Sequence, residues 1–459
     1  MSAFSEVQTA PRHRLQVIDQ DRALPTDDTR ARAGTARGTA WMVFIAAEFY
    51  LMSNPLAFIP GFEVALDNAL ALALGFGLLQ LWWLRPGRVP LSVICFLGFA
   101  GLSQLWSGFP AETRGAWEIY LAIAVVAWFI ASQVSHAVLA YGLLLGGVLV
   151  TTISCYAAWA VIPGATLPPG SDGVIAGVGT NRNILAYTLA LTLPALGVPP
   201  RTRAGKGVWL LGLGVALAGM VLAGSGTGLI VGALCLMAFL AMRSLEWAAY
   251  RSRRVLNGLR AGIVGAMMLA PLTIGVLAAV VGRDATTFSG RTFLWESTWR
   301  ISRDALWGGY GWGVVWRHPW LPAPYNQVED RIIFGADGTW YSHGHNSFFD
   351  LVPQLGLVGV LLAVVIHVAI LARVWGARRS AARTSRTDLE GSRAAYDGSR
   401  LLVLGLLSLL VFGAMEPLFT IPVGWFVLVM LASVRLAQNA DRLPSLRQWF
   451  RRATASSRE

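Results

Sequence analysis

Residues 346–372 read NSFFDLVPQLGLVGVLLAVVIHVAILA, an apolar run that carries a single carboxylate, Asp350. A helix of about 20 apolar residues crosses the ~30 Å hydrocarbon core of a bilayer, so this stretch reads as a membrane span. Runs of the same kind recur near 40–60, 64–84, 90–107, 115–133, 137–163, 183–199, 207–224, 227–243, 260–282, 400–416 and 420–436. The pattern predicts an all-α polytopic membrane protein with about 12 transmembrane helices. Composition agrees: 55% of residues are hydrophobic, 14% are charged, and mean hydropathy is +0.55. A water-soluble chain of this length needs more polar surface.

Charge placement sets the expected topology. Arg85 and Arg88, then Arg201, Arg203 and Lys206, then Arg243, Arg251, Arg253, Arg254 and Arg260 all fall in connections on one side of the threading. The Arg-rich segments 1–38, 373–400 and 435–459 fall on that side too, and the short connections opposite hold only Arg114 and Arg182. The positive-inside rule then places both termini in the cytoplasm of a multi-pass inner (plasma) membrane protein. The net charge of +12 is accounted for by this asymmetry against anionic membrane lipids, so no nucleic acid partner is implied.

The organisation expected is a disordered cytoplasmic tail over 1–38, helices 1–9 over 39–282, one large periplasmic or extracellular loop over 283–345, helices 10–12 over 346–436, and a cytoplasmic tail over 437–459. Within the loop, 291–304 predicts a short amphipathic helix with Ser289 as its N-cap. Phe293, Trp295 and Trp299 are expected to rest on the membrane surface. The run Gly308-Gly309-Tyr310-Gly311-Trp312-Gly313 predicts a tight turn, and 317–340 reads as irregular. Cys95, Cys155 and Cys235 lie in apolar runs and read as core residues, not as a disulfide framework.

Nucleotide-binding and HExxH motifs are absent from the sequence. Polar chemistry gathers instead at the outer ends of helices. Arg182 and Arg291 open predicted helices, where a guanidinium and free backbone N–H groups can hold phosphate oxygens. An interfacial anchor is the default reading for any single Arg. His345 opens the tenth span and can accept a hydroxyl proton near neutral pH, or merely cap the helix. His343 is expected to be solvated, and neither histidine has the ligand company that zinc needs. Of the carboxylates within spans, Asp350 and Glu416 lie nearest this end, while Glu48 and Asp67 read equally as structural hydrogen-bonding partners.

His345-Asn346, nine residues, then Gly356-Leu357-Val358-Gly359 resembles the HNx9GxxG signature of the O-antigen ligase and polymerase-type family of bacterial glycan transferases. Ser289-Gly290-Arg291-Thr292-Phe293-Leu294-Trp295, with the glycine-rich run that follows, is similar to that family's outer-loop opening. Thr180-Asn181-Arg182-Asn183 resembles its basic-residue-plus-Asn element. The resemblance implies a fold akin to the GT-C class and a metal-independent, inverting transferase without a cofactor. Its donor would be a glycan on undecaprenyl diphosphate, and its acceptor a hydroxyl of a glycan or lipid-glycan.

Carried onto this chain, Arg291 and Arg182 would grip the diphosphate and His345 would orient or deprotonate the acceptor. Asn346, Asn183 and Asp350 would support them, and Gly356 and Gly359 would admit a neighbouring helix. One departure stands out: Gly224-Ser225-Gly226-Thr227-Gly228 replaces the Ser-Arg that members often carry at the eighth span. A ligase and a repeat-unit polymerase share this chemistry. A lipid-linked glycan transporter, the alternative of another class, predicts functional groups near the membrane midplane instead.

Overall fold

The computed structural model describes residues 27–59, 61–85, 87–166, 174–249, 254–262, 291–321, 325–335, 341–384 and 389–436. The expected ninth span, Ser289 and most of both expected tails lie outside them. Helices dominate: α1 Asp27–Met52, α2 Phe62–Leu79, α3 Leu91–Leu102, α4 Pro110–Gln133, α5 His136–Trp159, α6 Arg182–Ala190, α7 Arg203–Leu222 and α8 Gly226–Ala249. They are followed by α9 Arg291–Ser302, α10 Gln327–Gly335, α11 Ser347–Thr384, α12 Leu389–Gly413 and α13 Pro422–Ser433. Among the described residues, 7 helices are long and apolar enough to cross a membrane, and Leu91–Leu105 and Pro422–Ser433 are shorter apolar helices. The chain is a polytopic membrane protein.

Its lipid-facing surface is apolar. Leu78, Leu211 and Leu361 are exposed on α2, α7 and α11, which is stable only where the solvent is hydrocarbon. Inside the bundle, helices approach through small residues. A Cβ at Gly142 or Gly146 of α5 would run into Ile45 or Phe49 of α1, and one at Gly197 would meet the Arg400 backbone.

Two elements depart from the sequence expectation. The sixth span is a nine-residue helix, α6, continued by a 3-10 turn over Leu193–Gly197 that contains Pro194. Proline removes a backbone donor, and the whole segment can afford its irregularity because it is buried in protein. The stretch 317–340 is not irregular throughout, since α10 occupies Gln327–Gly335. Asn326 is its N-cap, accepting the Glu329 N–H at 2.8 Å, and Ile332 turns inward onto a small core with Leu294, Ile301, Val315 and Trp316.

Residues of α11 account for the glycine signature. Gly356 has φ 61° and ψ −166°, so the helix is broken there. The break orphans backbone groups, and the glycine-rich turn over 308–313 satisfies them. Tyr310 N–H donates to the Pro353 carbonyl and Gly311 N–H to the Gln354 carbonyl, both at 2.9 Å, while Leu357 N–H donates to the Leu306 carbonyl at 2.8 Å. Gly309, Gly311 and Gly313 all have positive φ, which lets the turn lie against α11.

A buried ion network closes the bundle toward its other end. Arg400 of α12 pairs with Glu246 and Asp397 and donates from Nε to the Gly197 carbonyl at 3.0 Å; Arg378 of α11 reaches Glu246 at 3.6 Å. Arg400 lies roughly 20 Å along the α12 axis from Gly413 at about 1.5 Å per residue.

Candidate functional site

The site is assembled where four chain segments end. Asn181 accepts N–H bonds from Asn183 and Ile184 at 2.9 and 3.3 Å, so α6 starts at Arg182 and presents Asn183 in its first turn. Arg291 is the first residue of α9. Asn346 caps α11, accepting the Phe348 and Phe349 N–H groups at 2.8 and 3.3 Å and donating to the Ala414 carbonyl at 2.9 Å. That last bond ties the start of α11 to the turn that follows α12, where Glu416 sits.

Glu416 is the centre, with a side chain only 3% exposed. Its Oε1 lies 3.5 Å from Arg291 Nη2 and accepts from Asn183 Nδ2 at 3.2 Å. Its Oε2 lies 3.3 Å from His345 Nδ1 and 3.6 Å from His343 Nε2. Arg291 is further fixed by donating from Nη1 to the Met415 carbonyl at 2.9 Å. His345 holds a left-handed backbone, φ 47°, uncommon for a residue with a side chain. The bend turns both histidine rings toward one carboxylate, with ring centroids 4.0 Å apart.

Electrostatics follow from this crowding. Burial pushes the Glu416 carboxyl up, but the close His345 contact and the electrostatic influence of the two imidazoles and of the Arg291 guanidinium outweigh it and hold the group below the ordinary carboxylate range. His343 is held well below the ordinary imidazole range by burial first, then by His345; Glu416 opposes the shift only in part. His343 is therefore a buried, neutral ring, contrary to the solvated one expected from its place in a loop.

A second layer supports the first. Asp350 accepts from Thr420 Oγ1 at 2.7 Å, from Gly344 N–H at 3.1 Å and from Gln354 Nε2 at 3.2 Å. The Thr420 carbonyl in turn accepts from Tyr120 and Trp320. His318, a residue that sequence reasoning did not single out, is fully buried and stacked on Trp320 at 5.1 Å, with Nε2 4.0 Å from Asp350 Oδ1. Burial lowers its pKa to about 3. Trp295 does not rest on the membrane surface: it stacks on Phe349 at 5.3 Å and donates to the Gly344 carbonyl at 2.9 Å. Phe293 and Trp299 are exposed.

The remaining expected residues fall as follows. Arg182 is exposed beside Asn183, and its side chain is not among the groups that meet Glu416. Gly356 does permit a close approach, but the approaching backbone is that of Trp307 in the outer turn, not a neighbouring helix. At Gly359 an added Cβ would meet Leu355 of its own helix. In the 224–228 segment, Ser225 caps α8 by accepting the Gly228 N–H at 3.3 Å, and a Cβ at Gly228 would lie 3.0 Å from Ala186 of α6.

His343, His345 and Glu416 bring one ligand atom each within 4.8 Å of one another, company that the sequence reading denied them. The spacing could hold a cation, but the hydrogen bonds disfavour it. His343 Nδ1 accepts the His345 backbone N–H at 3.2 Å, so in a neutral ring the proton is on Nε2, the nitrogen that faces Glu416. The Arg291 guanidinium already supplies a positive charge to the same carboxylate.

Comparison with known proteins gives two matches. The model of the O-antigen ligase family matches residues 211–364, which include Arg291, His345, Gly356 and Gly359. The exopolysaccharide production protein ExoQ of Rhizobium meliloti (strain 1021) is 22% identical over 287 residues, or 61% of this chain and 63% of that relative. The chain thus spans less than two thirds of ExoQ's length in this match. By sequence it is similar to the O-antigen ligase family, and both matches support a membrane protein of that type.

Proposed function

We propose that this protein is a metal-independent, inverting glycosyltransferase of the O-antigen ligase type. It would move a glycan from undecaprenyl diphosphate to an acceptor hydroxyl at the outer face of the inner membrane, with both termini cytoplasmic. One observation carries the reading: Arg291 and His345, a phosphate-binding and a proton-accepting group from distant parts of the chain, meet within 3.5 Å of the same carboxylate.

The chemistry follows from those two groups. The acceptor oxygen attacks the anomeric carbon, the bond from that carbon to the diphosphate oxygen breaks, and the hydroxyl proton passes to His345. Arg291 neutralises charge that grows on the departing diphosphate. Arg182, exposed at the start of α6, would meet the outer phosphate with its guanidinium. The polar groups lie at helix ends and in the outer loop, which favours transfer over transport through a midplane site.

The name of ExoQ concerns exopolysaccharide production, which keeps a polymerase role beside the ligase role; the two differ in acceptor, not in leaving group. The test is transfer by the purified protein from a synthetic polyprenyl-diphosphate glycan, with chelator present. Product is expected from the wild type and not from Arg291→Ala or His345→Ala. In cells those variants should accumulate precursor on the outer leaflet; accumulation on the inner leaflet would instead identify a transporter.

A further inference from the structure

The carboxylate of Glu416 divides its two oxygens between two kinds of partner. Oε1 faces Arg291 and Asn183, and Oε2 faces the imidazoles of His345 and His343. We propose that Glu416 is the positioning residue of this site, fixing the tautomer of His345 on one side and the place of Arg291 on the other. The proposal rests on the transferase reading above and adds to it a group that acts through its neighbours.

The tautomer argument is geometric. A carboxylate 3.3 Å from Nδ1 favours the ring form that carries its proton there, which leaves the Nε2 lone pair as the basic site. His345 Nδ1 and Glu416 Oε2 are both buried and face each other at 3.3 Å as an ion-pair contact, neither making a hydrogen bond in this geometry, while the side chain keeps 21% of its exposure, so the ring offers its other edge to an incoming hydroxyl. When Nε2 takes the proton, the imidazolium charge develops beside a carboxylate that is already ionised. A carboxylate aligned on the far nitrogen of a general base acts in this way.

On the other side, Arg291 is held loosely by Glu416, at 3.5 Å, and more closely by a neutral carbonyl, at 2.9 Å. A diphosphate has more charge and more acceptor oxygens than either, so it can take over the guanidinium. Glu416 then keeps its histidine partners and places its full charge against them, which links proton acceptance to an occupied donor site. The groups that face Glu416 electrostatically are Arg291 on α9, Tyr187 on α6, Asp350 on α11, and His343 and His345 before it. His318 acts on His343 from behind.

The experiment uses the full chain in nanodiscs, the synthetic donor named above, and the variants Glu416→Gln and Glu416→Asp. Glutamine keeps the shape and removes the charge. It is expected to lower kcat about 100-fold, while the acceptor KM stays within about 3-fold. Aspartate should restore part of the rate. Nitrogen NMR of histidine-labelled wild type, assigned with His345→Gln, should show the proton on Nδ1.

A Glu416→Gln protein with unchanged kcat overturns the proposal. So does a wild-type His345 that carries its proton on Nε2. If glutamine prevents folding, the aspartate variant and the wild-type spectrum still decide. Absence of transfer by the wild type would overturn the transferase reading alone, since the tautomer is measured without turnover.

Discussion

The N–H of Gly311 donates to the carbonyl of Gln354 at 2.9 Å, a bond available because α11 breaks two residues later at Gly356. Trp307 and Leu306 complete the same splice by accepting from Val358 and Leu357 at 3.3 and 2.8 Å. The glycine-rich turn and the tenth expected span are thus one hydrogen-bonded unit. The two glycine-rich motifs, separated by more than forty residues in the sequence, are two halves of it. Its effect on the site is direct, since α11 carries Asp350 and begins one residue after Asn346.

Gly356→Ala should therefore be costly. The new Cβ meets the Trp307 backbone and the residue must keep φ 61°, so a loss of roughly 2–4 kcal/mol is expected. Thermal unfolding in detergent would measure it, and Gly376→Ala, with open space at its Cβ, is the control.

Acid should weaken the region around His318 and His343 before the rest of the bundle. His318 and His343 are held neutral by burial, so below about pH 6.5 the unfolded chain binds more protons than the folded one. Stability then falls as pH falls, by about 1.4 kcal/mol per pH unit for each ring, down to the folded value, which is about 3 for His318. Glu416 adds a loss of the same sign below the ordinary carboxylate range. Hydrogen exchange at pH 7.5 and 5.5 should show residues 312–321 opening first, and His318→Leu should flatten the dependence.

Arg291→Lys should not rescue Arg291→Ala. The guanidinium spans the Met415 carbonyl and the Glu416 carboxylate with separate nitrogens, and an ammonium cannot reproduce that fork. Transfer by the lysine variant is expected to fall about 100-fold. Arg182→Ala, at an exposed position, should raise donor KM more than it lowers kcat.

Thr420 and Asp350 should be energetically coupled. Their 2.7 Å bond is buried, and removing Thr420 leaves the Asp350 carboxylate with one donor fewer, Gly344 and Gln354 remaining. Thr420→Val and Asp350→Asn, singly and together, should give a coupling of about 1–2 kcal/mol in unfolding experiments. Additive losses would mean that Gly344 and Gln354 alone satisfy the carboxylate.

The membrane class was legible because apolar runs are a local property. Asn346 was legible because capping residues declare helix ends, and His345 and Asn183 because they adjoin such ends. Glu416 was visible only as a carboxylate near an outer end; its role depends on four segments meeting, which no local pattern encodes. His343 was misjudged for the same reason, since residues from α11 and the outer loop bury it. The helix α10 could have been found from Asn326 and Glu329, spaced as a cap and its third residue. The shortness of α6 was signalled by Pro194 but hidden by uniform hydrophobicity.

The helix α13 is buried along nearly its whole length, including Trp425, Phe426 and Met430. It is also the last described helix to leave the ribosome, so the bundle must keep a vacant slot until translation reaches it. Glu416 and Thr420 are delivered immediately ahead of it. The charge hub and its threonine prop therefore arrive after the other described helices that they join, and a chain stalled before residue 416 would sit in the membrane without them.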